Sequence, residues 1–208
     1  MLFRSQIIPA GGLVVTVGVD VQDNRLAVLT CAWGVGEECW ILDYQEIFGD
    51  PSDPHIWGQL DKIVLADHKW ASGYSRKPDA IAIDSGGHFT HEAYQYARER
   101  RKFNVLAVKG QSQRNKPVIG KPTKVDVNYR GQIIQRGGRV FPVGTDTAKT
   151  TLYGRLGRVE GTGIIHFHQS LTTEFYNQLT SEKKQVRYQK GFPVSEWVKI
   201  STRRSEEH

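Results

Sequence analysis

Apolar residues in the first quarter of the chain form short runs that end at polar or glycine-rich turns. Residues 13–20, 26–33 and 38–44 are rich in Val, Leu, Ile and aromatic side chains, and turns near Asp23 and Gly34 separate them. Apolar runs of this length between turn residues are typical of buried strands. The pattern predicts a meander of three antiparallel strands.

The next segments alternate between helical and strand patterns. Apolar residues recur at helical spacing over 55–68, and the polar break at 50–54 is a suitable capping segment for that helix. Two further apolar strands, 78–84 and 104–109, flank a helical segment over 88–101. The order β-β-β-α-β-α-β predicts an α/β fold whose later strands run parallel.

The second half of the chain is more polar. Residues 110–138 predict a long basic insertion, with a short strand pair over 126–134. The later elements predicted are a strand over 140–143, a helix over 145–156, a strand over 163–168, a helix over 172–182 and a hairpin over 184–201 that turns near Lys190 and Gly191. We therefore expect one domain over residues 1–208, with a mixed, mainly five-stranded sheet, flanking helices and a C-terminal hairpin.

Composition and charge narrow the class of protein only moderately. Hydrophobic residues make up 38% of the chain and the net charge is +6, which is compatible with a polyanionic partner without identifying one. Cys31 and Cys39 lie in apolar strands, which favours two buried thiols in a reducing compartment over a disulfide across the hairpin. No apolar run reaches the ~20 residues that span a membrane, and the first residues lack a signal-peptide core. We expect a cytoplasmic protein with no membrane contact.

The pattern that points most directly to chemistry is a pair of aspartates at strand ends. Asp20 follows the run Val-Gly-Val, and Asp84 follows Ile-Ala-Ile. If these strands are neighbours, both carboxylates meet at one edge of the sheet. Mg²⁺ prefers carboxylate and water oxygens, and two such ions ~4 Å apart can promote phosphodiester hydrolysis. The alternative is that both aspartates only form turns, where Asp is common.

Other polar residues have structural alternatives that are at least as good. Asp146 opens the helix over 145–156, where capping is favoured over metal binding. His166 and His168 share a strand face, and hydrogen bonding there is favoured over a ligand pair. For His88 and His91, after the Asp84 turn, placement on a helix surface is favoured over contact with a phosphate. Asp23 is interpreted as a turn residue.

The ordered set of motifs resembles the nuclease half of the large terminase subunit of lambda-like tailed phages. The likeness covers nearly the whole chain at comparable spacing. The motifs that carry it are Gly18-Val19-Asp20-Val21-Gln22, Ile83-Asp84-Ser85-Gly86-Gly87, Val108-Lys109-Gly110, Val143-Gly144-Thr145-Asp146-Thr147-Ala148-Lys149, Gln178-Leu179-Thr180-Ser181-Glu182, and Trp197.

The resemblance implies an RNase H-like fold and cleavage of double-stranded DNA with Mg²⁺ or Mn²⁺, two ions being expected, during genome packaging in the host cytoplasm. It makes Asp20 and Asp84 the first two catalytic metal ligands and Glu206, or Glu207, the candidate for the third, the alternative being an aspartate beyond residue 208. A solvated tail is the alternative for these glutamates. For the full-length protein it implies the terminase small subunit and the portal as partners. The chain has no phosphate loop, so we expect an isolated nuclease domain without the family's ATPase domain.

Basic residues supply the candidate contacts to the DNA backbone, which would be independent of sequence and weakened by salt. Each of them is also a plausible solvated surface residue. The candidates are Lys109, Arg114, Lys116, Lys121, Lys124 and Lys149. Two alternative functions stay open: a DNA-binding or assembly module that does not cleave, and another nuclease of the same fold, such as a junction resolvase.

Overall fold

The structure is a computed structural model that describes residues 2–3, 7–129 and 131–200. The chain divides after Ser170 into two compact units. In the described ranges, no helix has the length and apolar character needed to cross a membrane. Each unit is described by itself below.

The first unit follows the predicted alternation of strands and helices. Its elements in chain order are β1 (Leu2–Phe3), β2 (Val14–Val21), β3 (Arg25–Trp33), β4 (Cys39–Phe48), α1 (Pro54–Val64), β5 (His68–Lys69), β6 (Ser75–Arg76), β7 (Ala80–Asp84), α2 (Thr90–Glu99), β8 (Val105–Gln111), β9 (Thr123–Tyr129), β10 (Gln132–Gly144), α3 (Thr145–Leu156) and β11 (Ile165–His168).

One mixed sheet organises this unit. Among the described residues it has nine strands, in the order β1-β11-β4-β3-β2-β7-β8-β10-β9. The strands β2, β3 and β4 form the predicted antiparallel meander. On the other side of β2, the strands β7, β8 and β10 run parallel to one another and to β2. Three antiparallel strands followed by parallel ones, flanked by helices, confirm the RNase H-like α/β class.

Strand alternation decides which side chains of β2 enter the core. Val15, Val17 and Val19 are buried. Gly18, which lies between two of these valines, and Asp20, which follows the last of them, are exposed. Since successive side chains of a strand point to opposite faces, the valines define the core face and Asp20 lies on the other face. The same alternation buries Ile81 and Ile83 of β7 and leaves Asp84 on the face shared with Asp20.

Helices α1 and α2 cover the core face. Their apolar side chains join those of β2, β3, β7 and β8 in one buried cluster. Helix α1 begins as predicted at the polar break, because the Asp53 side chain accepts a hydrogen bond from the His55 backbone and Pro54 occupies the first helical position. The large cluster therefore lies on the side of the sheet opposite Asp20 and Asp84.

A partly buried charge network joins the two helices. Arg100 donates from Nε and Nη2 to the two carboxylate oxygens of Asp61, at 2.5 and 2.7 Å. The Tyr96 hydroxyl donates to the same carboxylate at 2.8 Å, and the Arg100 guanidinium stacks on the Tyr96 ring. Bidentate pairs of this kind fix geometry as well as contributing energy.

We expect Asp61→Asn to lower the free energy of unfolding by about 1–3 kcal/mol. The substitution removes a charge-assisted pair and leaves the charge of Arg100, whose side chain is 19% exposed, without this carboxylate partner. Urea unfolding followed by circular dichroism measures this. The matched control is Glu99→Gln, which removes the more exposed partner of Arg100 and should cost less than about 1 kcal/mol. Equal losses in the two variants would contradict the prediction.

The second unit contains α4 (Thr173–Leu179), β12 (Glu182–Gln189) and β13 (Phe192–Lys199). The Thr172 side chain caps α4 by accepting a hydrogen bond from the Phe175 backbone. Strands β12 and β13 pair antiparallel from Glu182↔Lys199 to Gln189↔Phe192. The turn lies at Lys190 and Gly191, both with positive φ, so the predicted hairpin and its turn are confirmed.

Two features of the sheet differ from the prediction. The sheet has nine strands among the described residues rather than about five, because β11, β1 and a hairpin of β9 and β10 extend it. Much of the predicted basic insertion is this hairpin, which is far longer than the expected strand pair over 126–134. Its polar residues alternate on an edge of the sheet, where few side chains need be apolar. Residues 112–122 keep the predicted irregular form.

Candidate metal centre

Asp20 and Asp84 are brought together by the pairing of β2 with β7. The two strands are parallel neighbours with Val19 opposite Ile83. Extending that register by one residue sets Asp20 beside Asp84, on the same face and at the same carboxyl-terminal edge of the sheet. The predicted neighbourhood of the two strands is therefore confirmed.

Short local contacts orient the two carboxylates. Asp84 Oδ1 accepts a hydrogen bond from the Gly86 backbone at 3.0 Å. A Cβ atom at position 86 would come within 3.2 Å of the same oxygen, so glycine leaves room for the carboxylate. Asp20 Oδ2 accepts a hydrogen bond from Gln22 Nε2 at 2.7 Å. Ser85, which is buried, ties the end of β7 to β8 through bonds from its backbone and its hydroxyl to the Val108 carbonyl.

The electrostatics of the pair favour a cation. Burial raises the pKa of Asp84 above its ordinary value, and the negative charge of Asp20 raises it further. Hydrogen bonds from the backbone of Gly86 and Ser85 and the charge of Lys109 act in the opposite direction. Two neighbouring carboxylates repel each other when both are ionised, and a positive ion between them offsets this repulsion.

The raised pKa of Asp84 leads to a prediction about stability without metal. A carboxyl whose pKa is higher in the folded state stabilises the fold fully below its unfolded pKa, and this stabilisation is lost as the pH rises through the folded pKa. We therefore expect Asp84→Asn to be more stable than the parent at pH 7 in EDTA, and the gain to shrink as the pH falls towards about 4. Urea unfolding at the two pH values measures the difference.

Asp67→Asn is the control for this pH comparison. The Asp67 carboxylate is 61% exposed and pairs with Lys77 at 3.3 Å, so its loss should change stability little at either pH. If the parent is as stable as Asp84→Asn at pH 7, the prediction that ionisation of Asp84 destabilises the fold is wrong.

The two aspartates suit a hard divalent ion that keeps several water ligands. Mg²⁺ is usually held by one or two protein carboxylates together with water or phosphate oxygens. Within the described ranges, no cluster of three or more His, Cys, Asp or Glu residues is placed to hold a metal ion. Glu206 and Glu207, the candidates for a third ligand, lie outside the described residues, so that role stays a prediction.

Several predicted phosphate contacts lie at the same edge of the sheet. Lys109 follows Val108, which pairs with Asp84, and its charge reaches the Asp84 carboxylate. The loop over 112–122 packs back on this edge, since the Lys116 carbonyl accepts a bond from the Thr147 hydroxyl of α3. Lys149 lies in the second turn of the same helix. The residues Lys109, Lys116 and Lys149 thus border the carboxylate edge, and Arg114 and Lys121 are exposed in the same loop as Lys116.

Lys124 lies elsewhere. It is on β9, opposite Arg139 of β10, and it faces a cavity next to α2. The predicted group of basic residues therefore divides between two places on the unit.

Asp146 lies at the start of helix α3. Helix α3 begins at Thr145 after Gly144, and this N-cap position has no side-chain cap hydrogen bond. Asp146 lies in the first turn, where its charge favourably meets the helix dipole. The predicted place of the Asp146 carboxylate at the start of this helix is confirmed, although Gly144 and not Asp146 is the N-cap residue.

The histidines separate into two groups. His88 Nδ1 lies 2.8 Å from Asp23 Oδ1, and both side chains are exposed on the loops that follow β7 and β2. His91 lies in the exposed first turn of α2, as favoured for it. His88 is in a turn instead of the predicted helix. The contact between His88 and Asp23 was not predicted, because no spacing rule relates residues so far apart in the chain.

The remaining candidates have structural partners. His166 Nε2 lies 2.6 Å from Glu38 Oε1 and its ring stacks on Trp40, while His168 Nδ1 lies 2.6 Å from the Ser170 hydroxyl. The favoured hydrogen-bonded interpretation of both histidines is confirmed. Cys31 and Cys39 are buried and form no disulfide. A hydrogen bond with Cys39, together with burial, raises the pKa of the Cys31 thiol.

Gln22 supports the carboxylate of Asp20, a role that was not predicted from the sequence. It stands two positions after Asp20, so strand alternation alone would have placed both side chains on one face. The spacing Asp20-x-Gln22 was part of the motif that carried the resemblance, but no role was given to its last residue.

The amino-acid sequence is similar to those of known proteins. Residues 2–208 match the family model described as terminase large subunit gpA, endonuclease domain. The large terminase subunit of Enterobacteria phage P21 is 33% identical over 149 residues, which cover 72% of this chain and 22% of the relative. The large terminase subunit of Escherichia phage lambda is 29% identical over 186 residues, which cover 85% of this chain and 28% of the relative.

The chain thus spans between 22% and 28% of the length of these two relatives. No solved structure matches it. The family model, by contrast, extends over almost all of the chain and includes both strand-terminal aspartates. The chain belongs to the family of terminase large subunit gpA endonuclease domains.

Proposed function

We propose that this chain is a metal-dependent endonuclease that cleaves double-stranded DNA concatemers during phage genome packaging. The observation that carries the proposal is the placement of Asp20 and Asp84 on neighbouring parallel strands, at one edge and on the face away from α1 and α2. Carboxylates gathered in this way have no evident purpose in packing the sheet, since their mutual repulsion is unfavourable without a cation.

Asp20 and Asp84 would hold Mg²⁺ or Mn²⁺, with two ions in the complete site, and Glu206 would supply the third carboxylate. Such ions, when bound, activate a water molecule and neutralise charge on the phosphate that is cleaved. The protein's own groups prepare the site: Gln22 orients Asp20, and the Gly86 backbone orients Asp84. No serine or cysteine nucleophile is required.

The basic residues along this edge would bind the DNA backbone. Lys109 is closest in the register to Asp84, and Lys116 and Lys149 are positioned by the contact of the loop with α3. Contacts of this kind neutralise phosphates irrespective of base sequence. In the full-length protein we expect the terminase small subunit and the portal as partners, and the host cytoplasm as the place of action.

A plasmid-cleavage assay tests the proposal. Supercoiled plasmid incubated with the purified chain and Mn²⁺ or Mg²⁺ should be converted to nicked and linear forms, and EDTA should prevent this. DNA that is retained in a gel shift but never cut would instead support a non-cleaving DNA-binding module. A strong preference for a four-way junction over linear duplex would support a junction resolvase.

A further inference from the structure

A basic cavity lies on the first unit between α2 and the hairpin of β9 and β10. Its volume is about 600 Å³. Five cationic side chains line it, and the described lining contains no Asp or Glu. These cations are Arg98, Arg101, Lys124, Arg136 and Arg139.

The cavity leaves positive charges close to one another without compensation. Lys124 and Arg139 are directly opposite each other on β9 and β10, an arrangement in which like charges destabilise a sheet. Across the described ranges, neither of them, nor Arg101 or Arg136, forms an ion pair with a carboxylate, and all four are exposed. A bound anion would relieve this repulsion.

The backbone at the rim of the cavity is irregular. The register of β10 shifts between Ile134 and Gly138, and Arg136 within this bulge has a φ of 52°, an uncommon conformation for a residue other than glycine. Asp126 accepts a hydrogen bond from the Arg136 backbone at 2.7 Å and so holds the bulge in place. Bulges re-aim side chains, and this one brings Arg136 to the cavity.

The cavity lies on the face of the sheet that α2 covers, whereas Asp20 and Asp84 lie on the opposite face. Val105, at the start of β8, lines the cavity, and Val108 of the same strand pairs with Asp84. Duplex DNA carries one negative charge per ~1.7 Å of its axis, so a duplex that lies against the cavity presents several phosphates to its cations.

We propose that this cavity binds backbone phosphates of duplex DNA, away from the face that carries Asp20 and Asp84. The proposal rests on the proposed nuclease function for the identity of the duplex. It assigns Arg98, Arg101, Arg136 and Arg139, together with Lys124, to a phosphate contact separate from that of Lys109, Lys116 and Lys149. Inorganic phosphate shares this chemistry, so it is the competing small ligand.

The test is the salt dependence of DNA binding. The affinity of the parent and of Arg101→Gln/Arg139→Gln for a fluorescent duplex is measured by anisotropy in EDTA, over a range of salt concentrations. Loss of two phosphate contacts should reduce the slope of log affinity against log salt by about 1.8 and weaken binding roughly tenfold or more at physiological salt. Lys62→Gln/Lys69→Gln, which changes the net charge equally at two exposed sites outside the cavity lining, should keep the parental slope.

Lys124→Gln/Arg136→Gln serves as a second cavity variant, and thermal unfolding checks that each protein is folded. Equal slopes for the cavity and control variants would overturn the proposal. Unchanged DNA binding in a variant that no longer binds inorganic phosphate saturably would also overturn it. A parent that does not bind the duplex would overturn it as well. If the parent binds DNA but fails to cut it with Mn²⁺, the nuclease function is wrong while a reduced slope in the cavity variants still supports the phosphate contact.

Discussion

Replacing Asp20 or Asp84 with Asn is expected to reduce metal-dependent DNA cleavage at least about a thousandfold. Such a loss corresponds to about 4 kcal/mol of transition-state stabilisation. The physical reason is that an amide keeps the size of the carboxylate but not its charge, so the pair no longer attracts a divalent cation. Plasmid cleavage in Mn²⁺, followed as initial rates of nicking, measures the effect.

Two controls make the result specific to the metal centre. DNA binding in EDTA should stay within about threefold of the parent for both variants, because neither aspartate is among the basic residues that contact phosphates. Gln22→Ala, which removes the hydrogen bond to Asp20, should reduce cleavage by only about 10–100-fold, as is usual for a group that orients a ligand. Cleavage that persists at the parental rate in both Asn variants would place the active site elsewhere.

Leu60→Ala is expected to have the largest effect on stability, a loss of about 2–5 kcal/mol of unfolding free energy. Leu60 lies in the middle of α1 and has 0% of its surface exposed. It belongs to the cluster that also contains Ile81 and Ile83, the core-facing residues of the strand that ends in Asp84. Truncation removes buried apolar surface and leaves a cavity that the surrounding side chains fill incompletely.

Urea unfolding followed by circular dichroism measures the loss caused by Leu60→Ala. The control is Lys62→Ala, an exposed substitution on the same helix that should change stability by less than about 0.5 kcal/mol. A loss below about 1 kcal/mol for Leu60→Ala would contradict the packing of α1 against the sheet.

The elements that the sequence predicted correctly are those with local signals. Strand β2 alternates between buried valines and exposed residues, and α1 begins at a polar break with Asp53 at its cap. Both patterns depend on neighbours within a few residues. Asp20 and Asp84 were found in the same way, since each ends an apolar strand.

Residues that act through distant partners were not predictable. Arg100 meets Asp61, and His88 meets Asp23, across separations of 39 and 65 residues. The length of the hairpin of β9 and β10 was also missed, because an edge strand tolerates the polar residues that otherwise indicate a loop. Lys124 was grouped with Lys116 by position in the chain, but the fold separates them.

By itself, the sequence determined the order of the main strands and helices, the positions of Asp20 and Asp84 at strand ends, and the family to which the chain is similar. These follow from side-chain periodicity and from short motifs, which are local properties of the chain. The tertiary structure alone decided that β2 and β7 are neighbours in register, which makes two separate aspartates one site. It also gathered five cations from α2, β9, β10 and the turn after α2 into one cavity, because pairing between distant strands depends on the whole core and leaves no signature in any single segment.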